Sequence, residues 1–261
     1  MRIQKAEVRN RLLQCLADDD FSLLQPFLAR HAIASGQTIA EAGSPLRTIS
    51  FPEGAIAAVL IPNGGQPKAL GIIGCEGFVG WPALLGVGEW PHEVVIRADT
   101  ASAVAVEVDR LEDACRQSLR LRSLLLRFVG TFMTQMSGTL VANAAHSMEQ
   151  RLARWILLYH DRLDGDEIIL THQEIGIMLG VRRASATNAL HLLEGSRAIR
   201  STRGRILIRD RAELERIAGD AYGAAERQYR QLIGPFGKSC PAGSPPQAQP
   251  AQRENHARPA L

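Results

Sequence analysis

Apolar positions along the chain change their period several times, and each change marks a different kind of structure. Between residues 21 and about 108 they come in short runs: Thr38-Ile39-Ala40, Thr48-Ile49-Ser50-Phe51, Ala55 to Ile61, Ala69 to Ile73, Val94 to Arg97 and Ala103 to Val108. Gly36, Gly43-Ser44-Pro45, Pro52-Glu53-Gly54, Pro62-Asn63-Gly64-Gly65 and Gly74 through Gly77 separate them. Short strand-like runs punctuated by turn formers predict a sandwich or β-roll. From Leu111 the texture is helical, and Leu121, Leu124, Leu125, Phe128, Phe132, Met136, Leu140 and Val141 recur at three- and four-residue steps. They predict one long helix over roughly 119–145, with Val129, Met133 and Ala144 apolar on other faces. Such a helix needs more than one partner. Leu125, Phe132, Met136 and Leu140 form a continuous seam, which predicts contact with a second copy of the chain. A helix buried within its own monomer gives the same stripe.

A further helical stretch, Ser147 to about Leu163, carries Leu152, Trp155, Ile156 and Leu158 and ends at an Asp164-Gly165-Asp166 turn. Ile168, Ile169 and Leu170 lead into the segment richest in local signals. Thr171 followed by Glu174 is a capping-box start, with Ile175, Met178 and Leu179 on one face behind it. Gly180 permits the left-handed turn that ends this helix. A second helix then turns Ala186, Ala189, Leu190 and Leu193 inward and Arg182, Arg183, Ser185, Thr187, Asn188 and His191 outward. Those outward types contact phosphates and base edges in a major groove. Past Gly195, Ile199 and Ile206-Leu207-Ile208 flank Ser201-Thr202-Arg203-Gly204-Arg205, two short strands with a turn at Gly204. This is a wing whose Arg200, Arg203, Arg205 and Arg209 would follow the sugar-phosphate backbone. An ordinary helical hairpin with a solvated arginine face is the bland alternative. Arg211 to about Leu232 reads as one more helix, and from Gly234 the Pro-, Ala-, Gln- and Gly-rich composition is that of a disordered tail.

Length and charge sharpen this reading. The 261 residues suit two modest domains. A formal net charge of +3 would not by itself suggest nucleic acid. The local balance does: from Thr171 to Arg211 the acids are Glu174, Glu194 and Asp210, against arginines at 182, 183, 197, 200, 203, 205, 209 and 211. The start, MRIQKAEVRNRLLQCL, lacks a signal-like apolar core, and no stretch approaches ~18 uninterrupted apolar residues. No membrane partner is expected, and a cytoplasmic location is. Cys15, Cys75, Cys115 and Cys240 are widely separated with no CxxC, so they are expected to stay reduced.

A β-roll, a long helix and a winged helix-turn-helix, in that order, resemble the family of bacterial regulators that includes the cyclic-AMP receptor protein and Fnr. The resemblance is strongest in RLARWILLYHDRL, LTHQEIGIMLGVRRASATNAL and GRILIRDRAELE, and weaker in FPEGAIAAVL and GCEGFVGWPALLG. It implies an α+β fold: a double-stranded β-roll of the cyclic-nucleotide-binding type over 1–118, a dimerisation helix over 119–146, a winged helix-turn-helix over 147–233 and a tail over 234–261. It further implies a homodimer on double-stranded DNA, helix 182–194 in the major groove, an inverted-repeat site with half-sites one helical turn apart, and contact with RNA polymerase. Arg183, Ser185 and Asn188 match base- or phosphate-contacting positions. Arg182 and Thr187 share their helix, while Arg203 and Arg205 belong to the wing. Thr171, His172 and Gln173, at the mouth of the first helix, are candidate phosphate contacts because a helix N-terminus offers free N–H groups. Ala184 stands where many relatives place a glutamate that accepts from cytosine, so the family's usual DNA sequence does not carry over.

The sensor end departs from the family. Trp81 falls where the ribose-binding carboxylate belongs, and His92-Glu93 where the clamp for the cyclic phosphate belongs. A carboxylate beside a phosphate repels it, so cyclic AMP is not the expected effector, unless a shifted register makes Arg97 the clamp. Only Cys15 lies where an iron–sulfur cluster would need several thiolates. Haem would need an axial His or Cys, for which His31 or His92 could serve, although a lone His in a β-domain is more often a surface or hydrogen-bonded residue. No cofactor and no metal are expected, and the effector is unknown. The other function class open to a β-roll is a cupin-like enzyme with a helical module attached. It requires clustered histidines, whereas His31, His92, His146, His160, His172, His191 and His256 form no HxH.

Overall fold

The structure, a computed structural model, describes residues 2–62, 64, 67–97 and 101–238. Asn63 and Gly65 of the expected turn, Ala98-Asp99-Thr100, and the expected tail from 239 on, with Cys240 and His256, lie outside the described residues. Two short helices, α1 (Arg11–Gln14) and α2 (Asp18–Leu24), precede strands β1 (Ala29–Ile33), β2 (Thr38–Ala40), β3 (Thr48–Glu53), β4 (Ile56–Ile61), β5 (Lys68–Ile73), β6 (Glu93–Arg97) and β7 (Ala101–Glu107). Helix α3 (Val108–Gln117) leads into the long α4 (Leu119–Ala145), and α5 (Met148–His160) follows after a break at His146. Beyond it come β8 (Glu167–Ile169), α6 (His172–Leu179), α7 (Arg183–Gly195), β9 (Ile199–Thr202), β10 (Arg205–Ile208), α8 (Arg211–Ala218) and α9 (Ala224–Leu232).

Two antiparallel sheets, β1-β7-β3 and β2-β6-β4-β5, close the N-terminal roll. Strand β1 has no counterpart among the expected strands. Its first four residues are exposed, so the edge strand shows no apolar alternation to read. The reason β4 reads as an unbroken apolar run is that both its faces are covered. Ala57 and Val59 join Ile49, Phe51, Ile73, Val94, Ile96, Val104 and Val106 inside the roll. Ile56, Ala58 and Leu60, on the opposite face by the two-residue period, join Ala69, Ile72 and Val95 against Leu152, Trp155, Ile156, Tyr159, Ile175, Met178 and Leu179. The C-terminal domain is therefore docked on the outer face of the larger sheet.

Helix α4 spans 119–145, as the periodicity predicts, but its expected seam is divided. Leu125 and Phe132 are 1% and 2% exposed, buried in the roll of their own chain, and Met136 packs partly against the same core. Phe128 closes over Gly77, where a Cβ would lie 2.0 Å from the ring, so only glycine lets the loop pass. Gln135 reaches the edge of β5, accepting from the Ile72 N–H (2.8 Å) and donating to the Ile72 carbonyl (3.1 Å) in place of a neighbouring strand. The exposed side of α4 carries Leu119, Met133, Leu140 and Val141. Leu119, Leu126, Met133 and Leu140 are spaced by sevens, with Ser123, Gly130, Ser137 and Ala144 four residues after each.

Two C-terminal expectations change. The single helix expected over 211–232 is two helices, because Gly219 and Gly223 adopt positive φ (56° and 100°) and turn the chain between them. The packed chain also continues past Ile233: Phe236 is buried on the Tyr229 ring, 4.9 Å between centroids, and the Lys238 ammonium donates to the Gly165 carbonyl at 2.9 Å. Aromatic burial outweighs the chain entropy that the surrounding composition favours.

Candidate nucleic-acid interface

Helix α6 begins as its sequence dictates. The Thr171 hydroxyl accepts from the Glu174 N–H (3.2 Å), and the Glu174 carboxylate accepts from the Thr171 N–H (2.8 Å) and hydroxyl (2.9 Å). It ends at Gly180, left-handed at φ 65°, and Arg151 of α5 donates to the Leu179 carbonyl there. Helix α7 then buries Ala186, Ala189, Leu190 and Leu193, the four positions expected to face inward. Its first turn is open: Arg182, Arg183, Ala184 and Ser185 are exposed, as are Asn188 and His191 one and two turns on.

Thr187 departs from the outward set. It is half-buried, donates to the Arg183 carbonyl at 3.0 Å and meets the His172 Nδ1 at 2.9 Å. This contact ties α7 to the start of α6. Of the three residues at the mouth of α6, Thr171 spends its hydroxyl on the cap and His172 is tied to Thr187, while Gln173 is exposed.

The wing is a three-stranded sheet in the order β8-β10-β9, with Arg203-Gly204 as its tip and Gly204 at φ 74°. Glu194 of α7 accepts from the Ser201 N–H at 2.7 Å, which fixes the wing's angle to the helix. Arg200, Arg203 and Arg209 are exposed. Arg205 pairs across the sheet with Glu167 at 3.0 Å, both half-exposed, a pairing weak enough to be exchanged for a phosphate. Arg211 leaves the basic surface altogether. Its guanidinium donates to Asp161 (2.9 Å), Glu215 (2.8 Å), the Tyr222 hydroxyl (2.8 Å) and His160 Nδ1 (2.9 Å), clamping α8 onto α5. Every group it meets lies outside the wing, so counting charge along the segment overstates the surface by one.

Sequence reasoning missed the tie between the two domains. Arg97, weighed above as a phosphate clamp, instead pairs with Glu174 of α6 at 3.2 Å, both mostly buried. The signal for this docking was the unbroken apolar run in β4.

Residues 150–217 match the family described as the Crp-like helix-turn-helix domain. Solved structures share the fold across most of the chain. FixK2 from Bradyrhizobium japonicum is 16% identical with a TM-score of 0.63, covering 74% of this chain and 98% of that one. A CRP-family transcriptional regulator from Thermus thermophilus is 20% identical with a TM-score of 0.63, covering 74% and 99%. The c-di-GMP-responsive global regulator CLP of Xanthomonas campestris is 14% identical with a TM-score of 0.61, again covering 74% and 99%. A search of curated proteins finds no sequence match. The N-terminal roll, the long helix and the matched domain define a DNA-binding transcription regulator. Its helix-turn-helix is of the Crp type, and its overall fold is the one these regulators share. Among the described residues, no helix is long and apolar enough to cross a membrane.

Proposed function

We propose that the chain binds an inverted-repeat site on double-stranded DNA as a homodimer, each copy laying helix 182–194 in the major groove. The observation that carries this is the uncovered first turn of α7, with Arg182, Arg183, Ser185 and Asn188 exposed beside the exposed Arg203 of the wing. Arg183, Ser185 and Asn188 read bases. Arg182, Gln173, Arg203 and Arg205 meet phosphates. Thr171, His172 and Thr187 hold the two helices in register, with their backbone close to the phosphates. Dimerisation uses the heptad of α4, exposed Leu119, Met133 and Leu140 with half-buried Leu126, and the small residues between them allow close approach. In domain terms, 1–118 senses, 119–146 dimerises and 147–233 binds DNA, with 234–238 packed onto that last unit.

The regulator works in the cytoplasm, touches RNA polymerase when bound, and is not an enzyme. Its effector is not cyclic AMP. Trp81 packs between Phe132 of α4 (6.0 Å between centroids) and His92 (6.4 Å), an aromatic group where a ribose would need a carboxylate, and Arg97 is committed to Glu174.

Gel shifts of Arg183→Ala and Arg203→Ala at several salt concentrations test the division of labour. Arg183→Ala costs ~1–3 kcal/mol and relaxes preference at one base pair. Arg203→Ala weakens specific and random DNA alike and makes the salt slope shallower by about one. Equal loss of discrimination in both variants refutes the assignment.

A further inference from the structure

Where the roll meets the winged domain, a cleft of about 550 Å³ opens beside α1, β6 and the turn between α5 and β8. Arg11, Cys75 and Arg97 line it from the roll, and Tyr159, Arg162 and Glu167 from the other domain. Most of its charges are already satisfied within the protein. Arg97 holds Glu174, Arg162 holds Glu76 at 2.8 Å, and Glu167 holds Arg205. Glu53, also at the wall, accepts from Arg30 (2.7 Å) and Ser102 (3.1 Å).

Two donors are left over. Half-buried Arg11 makes no side-chain hydrogen bond or ion pair among the described residues. Tyr159 is only 2% exposed, and its hydroxyl has no partner among the described residues either. Burial pushes the Tyr159 phenol up, so it stays a protonated donor. Burial likewise pushes the Cys75 thiol up to about 11, so no thiolate competes for the guanidinium. A guanidinium and a phenol lining one space, neither held by another side chain, are matched by an anionic acceptor. At the mouth, Arg9 of the roll and Asp164 of the winged domain are 3.4 Å apart and largely exposed, a contact an anion would rearrange.

We propose that this cleft binds a small anionic metabolite, its phosphate or carboxylate end held by Arg11 and Tyr159. The volume lies in the range of ordinary small-molecule sites. Because the walls come from both domains, the bound anion sets how firmly the winged domain is docked on the roll, and so the affinity for DNA. That coupling, unlike the binding, rests on the DNA-binding reading above.

The probes are inorganic pyrophosphate and, as the carboxylate arm, citrate, each titrated calorimetrically into the full-length protein at low salt. Saturable binding of at least one is expected. Arg11→Gln weakens it about tenfold or more, and Tyr159→Phe, which keeps the ring packing, weakens it a few-fold. Arg203→Ala on the wing leaves it unchanged. No saturable binding of either probe up to ~10 mM overturns the site. So does a loss caused by Arg203→Ala and not by Arg11→Gln, because the anion would then sit on the DNA surface. Gel shifts with and without the bound probe decide the coupling: an unchanged DNA affinity overturns it. Failure to bind any DNA overturns the DNA-binding reading, while the calorimetry still decides the anion site.

Discussion

Substituting glutamate at two neighbouring positions of α4, Phe132 and Met133, separates the core of one chain from the proposed seam between two. Met133 is 53% exposed and Phe132 is 2% exposed. Full burial of a methionine side chain contributes ~1.5–3 kcal/mol, and about half of Met133 is left to bury. Counted on both chains of a twofold seam, that is ~2 kcal/mol, or about thirtyfold in the dimer dissociation constant. Met133→Glu removes this and sets two carboxylates facing each other, for a total loss of roughly a hundredfold. The monomer's stability should move by no more than ~0.5 kcal/mol, because the position faces outward. Phe132→Glu behaves otherwise. Losing the ring costs ~3–5 kcal/mol, and a carboxylate with no partner in the roll adds several more. The total approaches the ~5–15 kcal/mol that keeps a domain folded. Sedimentation velocity with thermal denaturation reads both: Met133→Glu should give folded monomers that bind a full DNA site much more weakly, and Phe132→Glu an unfolded or aggregated chain. A Met133→Glu protein that remains dimeric, or a Phe132→Glu protein that is a folded monomer, would refute this placement of the seam.

Gly77→Ala should destabilise the roll by ~1–3 kcal/mol, since the new methyl meets the Phe128 ring, and Gly77→Ala with Phe128→Leu should recover part of it in a urea melt. His160 supplies a pH dependence. Burial, with Arg211 and Lys238 nearby, depresses it below its ordinary 6.5 despite the Asp166 bond, and its Nδ1 accepts from Arg211, so it is neutral when folded. A depressed folded value means the stability it supports is present above pH 6.5 and lost as pH falls below that. Denaturation at successive pH values should show a smaller acid decrement in His160→Gln than in the parent chain, and equal decrements would remove His160 as the cause.

What the sequence determines about this protein is what local chemistry determines. The capping box at Thr171 and Glu174, the left-handed turn at Gly180, the inward set of α7 and the Arg203-Gly204 tip all depend on residues a few positions apart. Their hydrogen bonds and apolar faces form among themselves, so the winged helix-turn-helix could be recognised from its own segment. Tertiary structure decides what covers an apolar face. The stripe of α4 could be read, but that Leu125 and Phe132 belong to the roll while Met133 and Leu140 stay outside follows from where the two sheets stand. The run in β4 announced two buried faces without naming the second cover, which is supplied by residues about a hundred positions later in α5 and α6. The pairing of Arg97 with Glu174, the interior use of Arg211 and the cleft with its unspent Arg11 and Tyr159 are all consequences of that docking. Periodicity fixes which side of an element is apolar. Only the packed chain fixes the neighbour, because burial and ion pairing depend on distances in space that spacing along the sequence does not encode.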